Sequence, residues 1–175
     1  MASDQDHEWK ELSTQSSTPI GIDETLKNVH VLNHFMDHQL AQGGSFKAIK
    51  FGGLNRVVEA GIDGFRCDMA MLTPVDFWLE ARQALEQDRH LFWLAELDPL
   101  DNPDYMRVFD AAYTWRWMNA ATSFRKEGSR QIHHLRYVLG QYSDVLPSTA
   151  CPAWFTSNHD ENSWNGTEYE KYEEI

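Results

Sequence analysis

Four charged residues in this chain sit where carboxylate chemistry could be done. Arg66 and Asp68 stand two positions apart in "GIDGFRCDMA" (61–70), Glu96 falls near the end of the apolar run "HLFWLAEL" (90–97), and Asp160 follows "WFTSNH". Side chains alternate across a strand, so Gly64, Arg66 and Asp68 share one face while Phe65 and Cys67 share the other. A carboxylate in a protein interior tends to take up a proton unless a cation or several donors favour its charged form. Arg66 supplies both, so Asp68 is expected to stay ionised, the state a carboxylate nucleophile needs. Glu96 lies beside Trp93 and Leu94 with few cations nearby in sequence; its pKa is expected to be raised, which suits a general acid. Each residue also fits a plainer role: a structural Arg–Asp pair, a solvent-facing strand end, and a loop turn in which Asn158 and Asp160 are at home.

The elements that must position these acids follow from the rhythm of the chain. After Gly61 it alternates "IDGFRCDMA" (strand), "TPVDFWLEARQALEQ" (helix), "LFWLAEL" (strand), "FDAAYTW" (strand), "SRQIHHLRYVLGQY" (helix) and "PAWFTSNHD" (strand), with Thr73 and Pro74 marking the first helix start. Strands alternating with helices predict an α/β fold with a parallel sheet. Such sheets gather ligands at the carboxyl ends of their strands, where Asp68, Glu96 and Asp160 are all expected.

The front of the chain is less patterned. Residues 1–20 are polar, and "STQSSTP" (13–19) reads as irregular because Ser and Thr compete for backbone hydrogen bonds and Pro interrupts them. A helix is expected within 22–40. Another is expected from Phe46 to Ala60, closed by Gly61, although Gly52 and Gly53 in its middle each cost roughly 1 kcal/mol. The expected division is an N-terminal segment over 1–44, irregular or chimeric, and a patterned domain over 45–175.

Composition bounds the partners. The 175 residues are 42% hydrophobic and 13% aromatic, enough for a globular core. Acidic residues outnumber basic ones 27 to 15, for a formal charge of −12, and no dense Lys/Arg cluster exists to track phosphates. Nucleic acid is therefore not expected as a partner. No apolar run approaches the roughly 20 residues that span a bilayer, and the first ten residues lack a basic flank followed by an apolar segment. A soluble chain without membrane association is expected, cytoplasmic if its N-terminus is authentic. Cys67 and Cys151 lack metal-ligand spacing, and Cys67 is expected as a small buried hydrophobe. No metal site is read from these residues.

"GFRCD" (64–68), the Glu of "LAEL" (94–97) and "FTSNHD" (155–160) closely resemble the second, third and fourth signature regions of glycoside hydrolase family 13, the α-amylase family, in the correct order. The resemblance covers roughly residues 55–165 and implies an incomplete (β/α)₈ TIM barrel, about strands four to seven. By resemblance Asp68 is the nucleophile, Glu96 the general acid/base, and Asp160 the residue holding sugar hydroxyls in the transition state. His159 and Asn158 would bind substrate beside it, and Arg66 would position the nucleophile. The chemistry fits retaining glycoside hydrolysis, in which two carboxyls stand about 5–5.5 Å apart. Trp164, Trp115 and Trp117 could stack on sugar faces or simply pack.

The family's first signature is missing: in "VHVLNH" (29–34) Val29 stands where the family has Asp. Met71 and Leu72 replace the polar residues often found just after the nucleophile. A structural calcium occurs in the family, but no ligands for it can be assigned here, and no other cofactor is implied. Because a complete barrel takes about 250 residues, the chain is expected to be a fragment of a longer amylase-like protein, with sheet edges open to self-association. The resemblance implies a retaining glycosidase of starch-like α-glucans or maltooligosaccharides; the alternative is an inactive remnant that only binds glucan or assembles with another barrel fragment.

Overall fold

The computed structural model describes residues 3–17, 21–22, 29–41, 43–45, 47, 53–127 and 131–171. The chain divides into two compact units, Met1–Asp63 and Gly64–Ile175. No helix among the described residues is long and apolar enough to cross a membrane.

In the first unit, α1 (Ser3–Gln15) packs against α2 (Val29–Asp37). Trp9 meets Phe35 edge to face at 5.4 Å, and Asp6 pairs with His34 Nε2 at 2.9 Å. Helix α1 runs into the segment expected to be irregular, reaching Gln15, and residues 18–19 of that segment lie outside the described set. Glu8, Lys10, Glu11 and Leu12 are good helix formers, and Trp9 gains tertiary packing that outweighs the turn preference of Ser13 and Thr14. Thr14 spends its hydroxyl on the carbonyl of Lys10, one turn back. β1 (Gly21–Ile22) pairs in parallel with β2 (Gly43–Gly44). The helix expected over 22–40 forms only as α2, with residues 23–28 outside the described set. The one expected over Phe46–Ala60 is α3 (Leu54–Glu59), and residues 46 and 48–52 lie outside the described set. Gly53 (φ +101°) precedes α3 and Gly61 (φ +96°) follows it, so both bracket the helix in conformations that suit glycine.

The second unit is built on four parallel strands in sequence order: β3 (Gly64–Cys67), β4 (Phe92–Ala95), β5 (Ala111–Tyr113) and β6 (Cys151–Ala153). Register sets Phe65 beside Trp93 and Cys67 beside Ala95, then Ala95 beside Ala112. This face is the buried one. Trp93, Ala95 and Ala112 are fully buried, and Trp93 contacts the rings of Phe65, Trp78 and Phe109. Burial pushes the Cys67 thiol up to about 12, as befits a core side chain. The opposite face carries Gly64, Arg66 and the exposed Phe92. A Cβ on Gly64 would collide with the Phe92 carbonyl, so only glycine allows β3 and β4 this approach.

Helix α4 (Val75–Leu85) crosses from β3 to β4, and its Arg82 binds Glu86 at 3.2 Å and Asp110 at 2.9 Å. Asp110 in turn accepts the Trp93 amide at 2.8 Å, locking the starts of β4 and β5. Between β5 and β6 the chain forms two helices, α5 (Trp115–Glu127) and α6 (Ile132–Val145), where one had been expected. Trp115, read as the end of a strand, opens α5, because Ala120 of α5 finds a buried partner surface in Val138 and Tyr142 of α6. The strand expected over 152–160 is only Cys151–Ala153. It is followed by α7 (His159–Asn165) and α8 (Glu168–Lys171).

Candidate active site

β3 and β4 end side by side, and the ladder continues one step beyond them through Glu96 N–H to the Cys67 carbonyl at 2.9 Å. This brings the residue after each strand, Asp68 and Glu96, to the same carboxyl edge. The chain then turns sharply at Met69 (φ +42°), whose N–H donates to Glu96 Oε2 at 2.9 Å. Arg66, on the open face of β3, spans the two acids: Nη1 binds Asp68 Oδ1 and Nη2 binds Glu96 Oε1 at 3.0 Å. Its guanidinium also lies 5.6 Å from the centre of the Tyr113 ring at the end of β5.

The two acids differ sharply in exposure. The Asp68 side chain is 76% exposed and that of Glu96 only 6%. Asp68 was expected inside the fold, but it lies one residue beyond the strand and opens to solvent. The Arg66 guanidinium holds its carboxyl below the usual range; partial burial works against this, while a hydrogen bond shared with Glu96 and the charge of His159 work with it. Glu96 was expected to have few cations nearby, yet Arg66 is its direct partner. Sequence distance hid that contact, since 30 residues separate the two.

No protein-family model matches the chain, and no curated protein matches it. Among solved structures it is similar to a noncanonic maltogenic α-amylase from Thermotoga neapolitana, with 25% identity over 75% of this chain and 27% of that one, at a TM-score of 0.52. The chain is a partial barrel of the α-amylase type. An α-amylase from H. orenii also matches, with 20% identity over the same 75% and 27% shares and a TM-score of 0.49. The chain thus spans about a quarter of the length of either amylase structure.

Within this amylase-type sheet the remaining expected site residues lie on or beside α7. Asn158 caps the helix, its Oδ1 accepting the Glu161 amide at 2.8 Å, and its buried Nδ2 has no hydrogen-bond partner among the described residues. His159 Nε2 lies 3.5 Å from Asp160 Oδ2. Asp160 is half exposed in the first turn of α7, where its ion-pair contact among the described residues is His159. It was expected at a strand end; β6 stops seven residues earlier. Trp164 is 83% exposed. Trp115 and Trp117 pack on Phe155 and Trp154 at 4.8 and 5.3 Å, which favours the packing role for both. Among the described residues no group of three or more His, Cys, Asp or Glu side chains could hold a metal.

Two residues that the sequence reading passed over also shape this edge. Asp98, two positions after Glu96, is a buried carboxylate, and Tyr105 of the loop after β4 donates to the carbonyls of Met71 and Thr73 at 3.2 and 2.9 Å. The only sequence signal was an Asp at the end of an apolar run.

Arg66→Met removes the cation that keeps Asp68 acidic, so the Asp68 pKa is expected to rise. An NMR titration of the Asp68 carboxyl, read beside the melting temperature, checks this. An unmoved titration in a well-folded variant would show that Arg66 does not tune Asp68.

Proposed function

We propose that this edge is the catalytic centre of a retaining glycoside hydrolase acting on the α-glucosidic linkages of starch-like glucans or maltooligosaccharides. The observation that carries it is the pairing of an exposed, acid-shifted Asp68 with a buried Glu96 at the ends of adjacent parallel strands, both held by one arginine. In the first step an Asp68 oxygen attacks the anomeric carbon and the bond to the departing sugar oxygen breaks. Glu96 passes a proton to that oxygen. In the second, a water gives its proton to Glu96 and its oxygen to the anomeric carbon, freeing Asp68. Arg66 would keep Asp68 anionic for attack while binding both carboxyls. His159 and Asp160 in the first turn of α7, with Asn158 capping it, would meet sugar hydroxyls, and the exposed ring of Trp164 would stack on a sugar face. The similarity to a maltogenic α-amylase supports the choice of α-glucan as substrate class.

A covalent trap tests the reading. Incubation with 5-fluoro-α-glucosyl fluoride, which forms the glycosyl-enzyme faster than it is hydrolysed, is expected to add one sugar to the protein mass. Peptide mapping is expected to place it on Asp68, and Asp68→Asn to leave the mass unchanged. Absence of any adduct on a folded wild-type chain would overturn the hydrolase reading.

A further inference from the structure

The Asp98 side chain is 5% exposed and makes none of the contacts assigned to substrate. Its Oδ1 accepts the Leu100 amide at 2.9 Å, while Oδ2 accepts the Arg116 amide at 2.8 Å and the Tyr142 hydroxyl at 2.6 Å. Its carbonyl accepts the amides of Asp101 and Asn102, both at 3.1 Å. One residue thus ties the exit of β4 to the first turn of α5 and to the buried face of α6. A carboxylate at a helix N-terminus also meets the positive end of the helix dipole. Burial, reinforced by the hydrogen bond to Asp98, pushes the Tyr142 phenol up, so the hydroxyl remains a donor throughout the neutral range.

This tether begins two residues after Glu96, with the fully buried Leu97 between them. Glu96 itself is gripped by Arg66 and by the Met69 amide. Its main chain is fixed as well, through Cys67 and Ala70. A buried acid held only through its own contacts could swing with the loop that follows it; with that loop anchored at Asp98, it has one position. We infer that Asp98 and Tyr142 are positioning residues that, by anchoring the loop after β4, fix the Glu96 carboxyl against Arg66 and Met69. The inference rests on the proposed hydrolase only for what Glu96 does, and its geometry can be read without turnover.

The readout is the Met69 backbone amide, which donates to Glu96 Oε2, followed by two-dimensional NMR of the ¹⁵N-labelled full chain. In Tyr142→Phe and Asp98→Asn the Met69 resonance is expected to move toward its position in an unstructured peptide. In Arg82→Met, which weakens the fold from the other ends of the strands, it is expected to stay in place. A tether that is only structural lowers the melting temperature in all three variants without moving Met69, and that result overturns the inference. Should Asp98→Asn fail to fold, Tyr142→Phe, which lacks a single hydroxyl, decides. A wild-type chain that does not hydrolyse glucan would count against the hydrolase and leave the Met69 result standing.

Discussion

On the proposed hydrolase reading, Glu96→Gln is expected to lower turnover of maltooligosaccharides by about 10²- to 10⁴-fold, the range associated with loss of a positioned general acid. The same variant loses far less on α-glucosyl fluoride, because fluoride departs with little need for a proton. The asymmetry is the test, since Gln keeps the size of the side chain and one acceptor oxygen, enough for either the Met69 amide or Arg66, which bind different oxygens of Glu96. Equal losses on the two substrates would mean that Glu96 serves the fold or binding and not proton transfer. A parallel melting curve guards against the trivial case: Arg66 would be left with Asp68 as its carboxylate partner, and a large drop in melting temperature would trace the loss to disorder at the β3–β4 edge.

Trp93→Ala destabilises the second unit by about 3–5 kcal/mol, the usual cost of emptying a large aromatic site in a core. Trp93 is fully buried at the centre of the sheet's packed face, against Phe65, Trp78 and Phe109. Its indole N–H also donates to Glu86 Oε1 at 2.9 Å. Urea unfolding followed by circular dichroism measures the loss, and a change below about 1 kcal/mol, the scale of an ordinary surface substitution, would contradict this placement of the core. The same contact carries a pH signature. Partial burial raises the Glu86 pKa, but the Leu91 amide, the Trp93 indole and Arg82 outweigh it and bring the group below its usual range. A carboxyl with a depressed folded pKa stabilises above its unfolded value of about 4.3 and loses that contribution as the pH falls through the folded pKa. Trp93→Phe removes one of the three donors, so less stability is left to lose on acidification.

The chain spans little more than a quarter of the length of the maltogenic α-amylase structure, and at the carboxyl edge of its own four-stranded sheet two carboxyls and an arginine converge. Strand ends are a robust place for such a cluster. The backbone ladder between β3 and β4 fixes the spacing of the residues that follow it, so Asp68 and Glu96 meet without help from a distant loop.

The sequence by itself determined the parallel sheet and the acids at the ends of its first two strands. Apolar runs such as "FWLA" have one place to go, the middle of a covered sheet, and a charged residue after such a run must sit at its rim. Helix α4 was legible for the same local reason, with Thr73 and Pro74 before it and an apolar stripe along it. Tertiary structure alone decided the rest. Helices α1 and α5 are polar enough to read as loop or strand end, and each forms because one aromatic or alanine side finds a partner far along the chain: Phe35 for Trp9, Val138 and Tyr142 for Ala120. Arg66 could be paired with Asp68 from sequence because they are two residues apart. Its second bond, to Glu96, joins residues 30 positions apart and exists only because β3 and β4 are hydrogen-bonded in register. Asp98 was invisible for the same reason: a lone acid after a strand reads as solvent-facing until α5 and α6 bring an amide and a phenol over it. Local pattern sets which residues form an element and which face is apolar; which charges meet is set by register and by helices arriving from elsewhere, and neither is written within any short stretch of chain.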